Sequence, residues 1–250
     1  MYTHINNRKI HFKKIGHGSP LLLIHGWGGS LYSLHALADL ASAKHTVYLL
    51  DLPGFGKSDN PPKHWGVEGY ASMIIDFIAD QKLSKPHYFG HSFGGELGIY
   101  IAAHNPEMLD QLVLCNSSYK RENKVSKAAQ IAKDVPQGIQ FIVDFVKPFI
   151  KNLYYKLFHR DSDLMKFPQL ETNFRKIITH DLSEDVKKIK NDTLIVWGED
   201  DTYTPSYWAY ELKKNIPNSD IHVFPKAGHN LPIKDPQAVW HVMKGFLKYN

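Results

Sequence analysis

The chain of 250 residues holds one cysteine, Cys115. No internal disulfide can form. Because Cys115 closes the apolar run Leu112-Val113-Leu114-Cys115, it is expected to be a buried, inert thiol, in keeping with a reducing compartment. No apolar run approaches the ~20 residues that a membrane-spanning helix needs, so no integral membrane contact is expected. The first nine residues contain neither an apolar core nor a cleavage pattern, which argues against a secretory signal and for a cytoplasmic protein. Histidine, cysteine and acidic residues nowhere fall at metal-site spacing. Zinc-finger and RNP-type motifs are missing, as are internal repeats and low-complexity tracts. Neither a catalytic metal nor nucleic acid is therefore expected to take part.

What is present suits a globular protein: 43% hydrophobic and 22% charged residues, in a chain long enough for one large domain or a core with a smaller insert. The net charge of +5 is unevenly placed. Residues 118–190 hold 15 Lys and Arg against 9 Asp and Glu, a net of +6, while the remainder carries −1. Such a segment is either a solvated helical surface or an attractor of anionic substrates or a membrane surface.

Residues 9–16 alternate in period two and end in turn residues, which predicts an antiparallel edge strand. Residues 20–24, 46–50, 111–115 and 193–197 are short continuous apolar runs, the pattern of strands buried on both faces. Residues 86–89 and 221–224 complete the strands. Helix-like spacing falls between them, at 31–40, 67–81, 96–104, 207–215 and 236–248. This alternation predicts an α/β fold with a mostly parallel sheet flanked by helices.

The alternation fails between residues 118 and 190, where only helix-like segments are found. The predicted organisation is a core of residues 1–117 and 187–250 interrupted by a helical cap over 118–186, a size usual for a small domain. An aromatic stripe in this insert includes Phe141, Phe145, Phe149, Tyr154, Tyr155 and Phe158. A cap lying over a pocket needs an apolar underside, so Phe141 and Phe145 are candidate pocket residues beside Trp27 and Phe93.

The chemistry is concentrated at strand ends. Gly90-His91-Ser92-Phe93-Gly94-Gly95 sets a serine in a G-x-S-x-G frame between a strand and a helix, where a sharp turn exposes the hydroxyl. An aspartate at 200 or 201 and His229 follow later strands, in the order Ser, Asp, His. Serine needs a base to take its proton, histidine titrates near neutrality, and a buried carboxylate orients the ring. The backbone N–H groups of Trp27, in the loop His25-Gly26-Trp27-Gly28-Gly29, and of Phe93 are candidate oxyanion donors. Gly56-Lys57-Ser58 imitates the end of a phosphate-binding loop. Asp51 stands where that motif needs its first glycine, so nucleotide binding is not expected.

With these five segments in this order, the chain resembles the α/β-hydrolase fold serine hydrolases over essentially its whole length. The resemblance rests on the His25 to Gly29 loop, on Asp51-Leu52-Pro53-Gly54-Phe55-Gly56-Lys57-Ser58, on the Ser92 frame, on Gly198-Glu199-Asp200-Asp201-Thr202-Tyr203-Thr204-Pro205, and on Gly228-His229. It implies that the acid lies three residues after the glycine and four before the proline, which selects Asp201 and leaves Asp200 as a neighbour. Some members carry the acid after the preceding strand, where this chain has Asn116 and Ser117. His25 and His91 are expected to be structural. The implied activity is cofactor-free hydrolysis of small to medium carboxylic esters through an acyl-enzyme on Ser92. Two alternatives share the fold: hydrolysis of carbon–carbon bonds in ring-cleavage products, and a slow-turnover ligand receptor. Similar carbon–carbon hydrolases usually carry tryptophan after the histidine, where this chain has Asn230.

Overall fold

The computed structural model describes residues 1–121 and 166–248. Eight strands form one sheet in the order β1-β2-β4-β3-β5-β6-β7-β8. They are β1 (Tyr2–Ile5), β2 (Arg8–Gly16), β3 (Ser19–Ile24), β4 (His45–Leu50), β5 (His87–His91), β6 (Leu112–Cys115), β7 (Thr193–Gly198) and β8 (Ser219–Phe224). From β3 onward every pairing is parallel, while β1 with β2 and β2 with β4 are antiparallel.

The short apolar runs become central strands because both their faces are covered. Leu22, Ile24, Tyr48, Tyr88 and Leu114 share one core cluster with Ile74 and Phe77 of α2 (Val67–Asp80) and Leu97 and Ile101 of α3 (Phe93–His104). Leu21, Leu23, Val47, Leu49 and Val113 face the other way, onto Leu37 and Ala38 of α1 (His35–Ala41) and Val239 and Met243 of the C-terminal helix Pro236–Phe246. Alternate residues of one strand thus feed two cores, and each fully buried Leu or Ile contributes about 1.5–3 kcal/mol before entropy is counted.

Three sequence expectations are corrected. Residues 9–16 lie in β2, which is not the edge; β1 pairs outside it. The strand before Ser92 runs on to His91 rather than stopping at residue 89, and the helix after it starts at Phe93 rather than 96. Between β6 and β7 the described residues contain no strand, only the helix α4 (Glu171–Ile177) and short 3-10 turns at Pro168–Leu170 and Val186–Lys188. Cys115 is fully buried and its thiol is pushed well up by burial. No helix among the described residues is long and apolar enough to cross a membrane.

The topology decides where the site falls. The chain passes from β3 to β4 on one side and to β5 on the other, so the crevice between the carboxyl ends of β3 and β5 is a switch point of the sheet. Trp27 follows β3 and Ser92 follows β5. Asn116, Asp201 and His229 follow β6, β7 and β8, the next strands along.

Candidate active site

Ser92 sits at the turn from β5 into α3 with φ 53° and ψ −114°, a left-handed conformation that costs a non-glycine residue about 1–3 kcal/mol. The surrounding packing enforces it. A Cβ on Gly90 would lie 2.3 Å from the carbonyl oxygen of Gly94, and one on Gly94 would lie 2.3 Å from that of Ile24. Only glycine lets helix and strand approach this closely. The result is a half-buried serine at the N-terminus of a 12-residue helix, where the first N–H groups have no intrahelical acceptor and favour negative charge.

The three polar groups predicted from the strand ends meet. His229 Nε2 lies 3.0 Å from Ser92 Oγ, and His229 Nδ1 lies 2.8 Å from Asp201 Oδ2. The Asp201 side chain has no solvent exposure, against 16% for His229. The carboxylate accepts from Nδ1–H, which leaves the Nε2 lone pair facing the serine hydroxyl.

Asp201 rather than Asp200 is the partner, and Asp200 is exposed. Burial pushes the Asp201 carboxyl up, but hydrogen bonds and charge from His229 and hydrogen bonds from Thr204 outweigh it and hold the group at about 2. Tyr203 N and Thr204 N donate to Oδ1 at 2.8 and 2.9 Å, and Thr204 Oγ1 lies 2.7 Å from Oδ2. Asn116 Nδ2 also reaches Oδ2, at 2.5 Å. The sequence had offered Asn116 only as a site lacking the acid, and its role as a donor to that acid was missed. Thr204 was missed too, although its place three residues after Asp201 is the spacing at which a hydroxyl can turn back onto a carboxylate.

His91 and His25, expected to be structural, are both buried and both hydrogen-bonded to backbone. Burial and the neighbouring His229 push His91 down to about 3, so its ring is neutral. His25 is also pushed down by burial. Its Nε2 accepts from Leu52 N at 3.0 Å while Nδ1 donates to Gly26 O at 2.7 Å, tying the Trp27 loop to the loop after β4. In that second loop Asp51 accepts from Lys57 N, Leu31 N and His11 Nδ1. The Gly56-Lys57-Ser58 turn is thus bound to a carboxylate.

The Trp27 loop passes close over Ser92: a Cβ on Gly26 would lie 3.0 Å from the Ser92 Cβ. Trp27 is half-buried and contacts Phe55 at 4.9 Å, Phe174 at 5.1 Å and Phe93 at 5.6 Å between ring centroids. Phe93 is buried between Trp27 and Tyr70 and so backs the tryptophan. Phe167 stacks edge-on against Phe55 at 5.0 Å. Phe174 of α4 and Phe167 just before it join this aromatic cluster, and the sequence did not single them out. Phe141 and Phe145 lie outside the described residues. On the other side, the exposed ring of Tyr203 lies 5.1 Å from that of His229.

The chain can now be compared with known proteins. The model of the alpha/beta hydrolase family matches residues 21–242, and the chain belongs to this family. It is 24% identical to the uncharacterized hydrolase YugF of Bacillus subtilis, over 95% of this chain and 93% of that protein. It is 27% identical to a 2-hydroxy-6-oxononadienedioate/2-hydroxy-6-oxononatrienedioate hydrolase of Burkholderia vietnamiensis, over 88% and 84% of the two chains. Among solved structures, the enol-lactonase of Burkholderia xenovorans superposes with a TM-score of 0.78 at 20% identity, covering 98% of this chain and 99% of the other. The fold and the hydrolase class are therefore established.

Proposed function

We propose that this hydrolase is a serine esterase that cleaves small to medium carboxylic esters through an acyl-enzyme on Ser92. The observation that carries this is the unbroken relay from Ser92 Oγ through His229 to Asp201, set in a strained turn at a helix N-terminus. His229 Nε2 takes the hydroxyl proton as Oγ attacks the carbonyl carbon. Asp201 stabilises the imidazolium that forms and keeps Nδ1 protonated. The backbone N–H groups of Phe93 and Trp27 donate to the developing oxyanion. The imidazolium then protonates the leaving alcohol, and water, deprotonated by His229, attacks the acyl-enzyme to release the acid and free Ser92. No step calls for a cofactor or metal.

The aromatic wall of Trp27, Phe174 and Phe167 suits an apolar acyl group, and residues 118–186 are proposed as the cap that closes over it. The substrate is then a small molecule rather than a macromolecule. A second reading, hydrolysis of a carbon–carbon bond in a ring-cleavage product, is favoured by the name of the Burkholderia vietnamiensis relative. Asn230, where tryptophan is usual in such enzymes, weighs against it. The test sets a series of p-nitrophenyl esters of rising chain length against 2-hydroxy-6-oxononadienedioate. Faster turnover of the esters supports the esterase, and faster turnover of the dienedioate replaces it with the second reading. Fluorophosphonate labelling at Ser92 with both activities barely measurable would favour the slow-turnover ligand receptor, and absence of label would mark a scaffold without activity.

A further inference from the structure

The side chain of Asn116 is fully buried at the carboxyl end of β6, between the nucleophile strand and the strand that carries the acid. Its backbone N–H extends the sheet by donating to Val196 O at 3.0 Å. Its φ of 47° is left-handed, a conformation that asparagine tolerates better than most residues. From this fixed point Nδ2 reaches Asp201 Oδ2 at 2.5 Å, and the carbonyl oxygen lies 3.1 Å from Thr204 Oγ1. Asn116 therefore grips both ends of the turn that presents the acid.

The oxygen that Asn116 holds is the one that matters to the base. Oδ2 is also the acceptor of His229 Nδ1, whereas Oδ1 is taken by the backbone of Tyr203 and Thr204. Two fixed N–H donors on Oδ1 set the plane of the carboxylate only from behind. The amide of Asn116 and the hydroxyl of Thr204, at 2.7 Å, hold Oδ2 from the other side, beside the imidazole. A carboxylate at position 116 would face Asp201 with a second acceptor, and two carboxylates at this separation must share a proton. A glycine would keep the left-handed backbone and lose the donor.

We propose that Asn116 is a positioning residue of the triad, whose Nδ2–H holds Asp201 Oδ2 on the His229 side. The proposal rests on the serine-hydrolase reading above. Wild-type ester hydrolysis and fluorophosphonate labelling of Ser92 test that reading by themselves, so its failure is seen before any variant is made.

The experiment compares Asn116→Gly and Asn116→Asp with the wild type, using ester kinetics across pH and thermal melts. Asn116→Gly is expected to lower kcat by about 10- to 100-fold, the scale of one hydrogen bond to a charged group, with KM unchanged. Asn116→Asp keeps the side-chain shape and puts a second carboxylate within two hydrogen-bond lengths of His229. The two carboxylates share one proton, so the pair keeps a donor to Oδ2 while that proton stays and loses it on deprotonation; kcat is expected to fall on the alkaline side, where the wild type holds its plateau. An asparagine needed only for its backbone would leave the glycine variant at the wild-type rate, or the aspartate variant with the wild-type alkaline profile, and either result overturns the proposal. Should the glycine variant fail to fold, the alkaline profile of Asn116→Asp decides alone.

Discussion

The carbonyl oxygen of His229 accepts a 2.8 Å hydrogen bond from Nε2 of His91, so His229 is tethered to the residue immediately before Ser92. The two rings lie 5.1 Å apart. Removing the tether frees the loop after β8, which no strand pairing holds. His91→Ala is expected to destabilise the fold by about 1–3 kcal/mol, the cost of an unmade buried hydrogen bond, and to lower kcat more than it raises KM. Urea unfolding read beside ester kinetics checks both. Unchanged kcat in a destabilised variant would mean that the tether serves the fold only.

Stability should respond to pH through groups of opposite sign. His91 is depressed from 6.5 to about 3 by burial and by His229. Its contribution is full above 6.5 and is lost as pH falls toward 3. Asp201, lowered from 3.8 to about 2, behaves alike in a more acidic window. Glu96 runs the other way, raised by burial from 4.5 to about 7 against the charge of Arg121 and the hydroxyl of Ser118. Its folded form prefers the proton, so its contribution is lost as pH rises from 4.5 through 7. Glu96→Gln is therefore expected to become relatively more stable than the wild type as pH rises across that window. Parallel urea midpoints for the two proteins from pH 4.5 to 7 would contradict this.

That carboxylate also has a mechanical place. Glu96, on α3, pairs with Arg121, and Arg121 donates to Ile177 O at 2.8 Å while its own N–H reaches Asp181 at 2.8 Å. Residue 121 and residues 177–181 are thereby fastened to α3.

Gly94→Ala would force a Cβ against the Ile24 carbonyl. Overpacking against backbone costs about 1–3 kcal/mol or more. Because the strain falls on the turn that presents Ser92, fluorophosphonate labelling is expected to slow before the protein unfolds. Equal labelling of variant and wild type in the folded state would show that the turn relaxes without moving Oγ.

Phe174→Ala should widen the wall beside Trp27. The aromatic contact at 5.1 Å is lost, and selectivity is expected to shift toward longer or bulkier acyl groups by about 10-fold, the worth of a methylene or two in an apolar pocket. An ester panel with unchanged ranking would remove Phe174 from the pocket.

The sequence read the scaffold well where one face of physics dominated. Runs such as Leu21-Leu22-Leu23-Ile24 are apolar throughout because both faces of the strand are covered, and that is visible without a structure. Strand β1 was not, since Tyr2-Thr3-His4-Ile5 buries only Ile5. Its signal was the Asn6-Asn7 pair, whose φ values of 49° and 62° make the tight turn between β1 and β2. The helix Leu231–Lys234 was missed because four residues are too few for a period to show. Ser92, Asp201 and His229 were legible because the order of strands brings their loops together. Asn116, Thr204 and Phe174 were not, because what they touch depends on side-chain packing across loops. The wall residues proposed at Phe141 and Phe145 lie outside the described residues.

The most direct test is fluorophosphonate labelling with peptide mapping, run beside ester hydrolysis for the wild type, Ser92→Ala and His229→Ala. The account predicts a single labelled site at Ser92, no label in Ser92→Ala, and turnover reduced by about 10³-fold or more in both variants with unchanged melting behaviour. Ester hydrolysis at the wild-type rate by Ser92→Ala would contradict it.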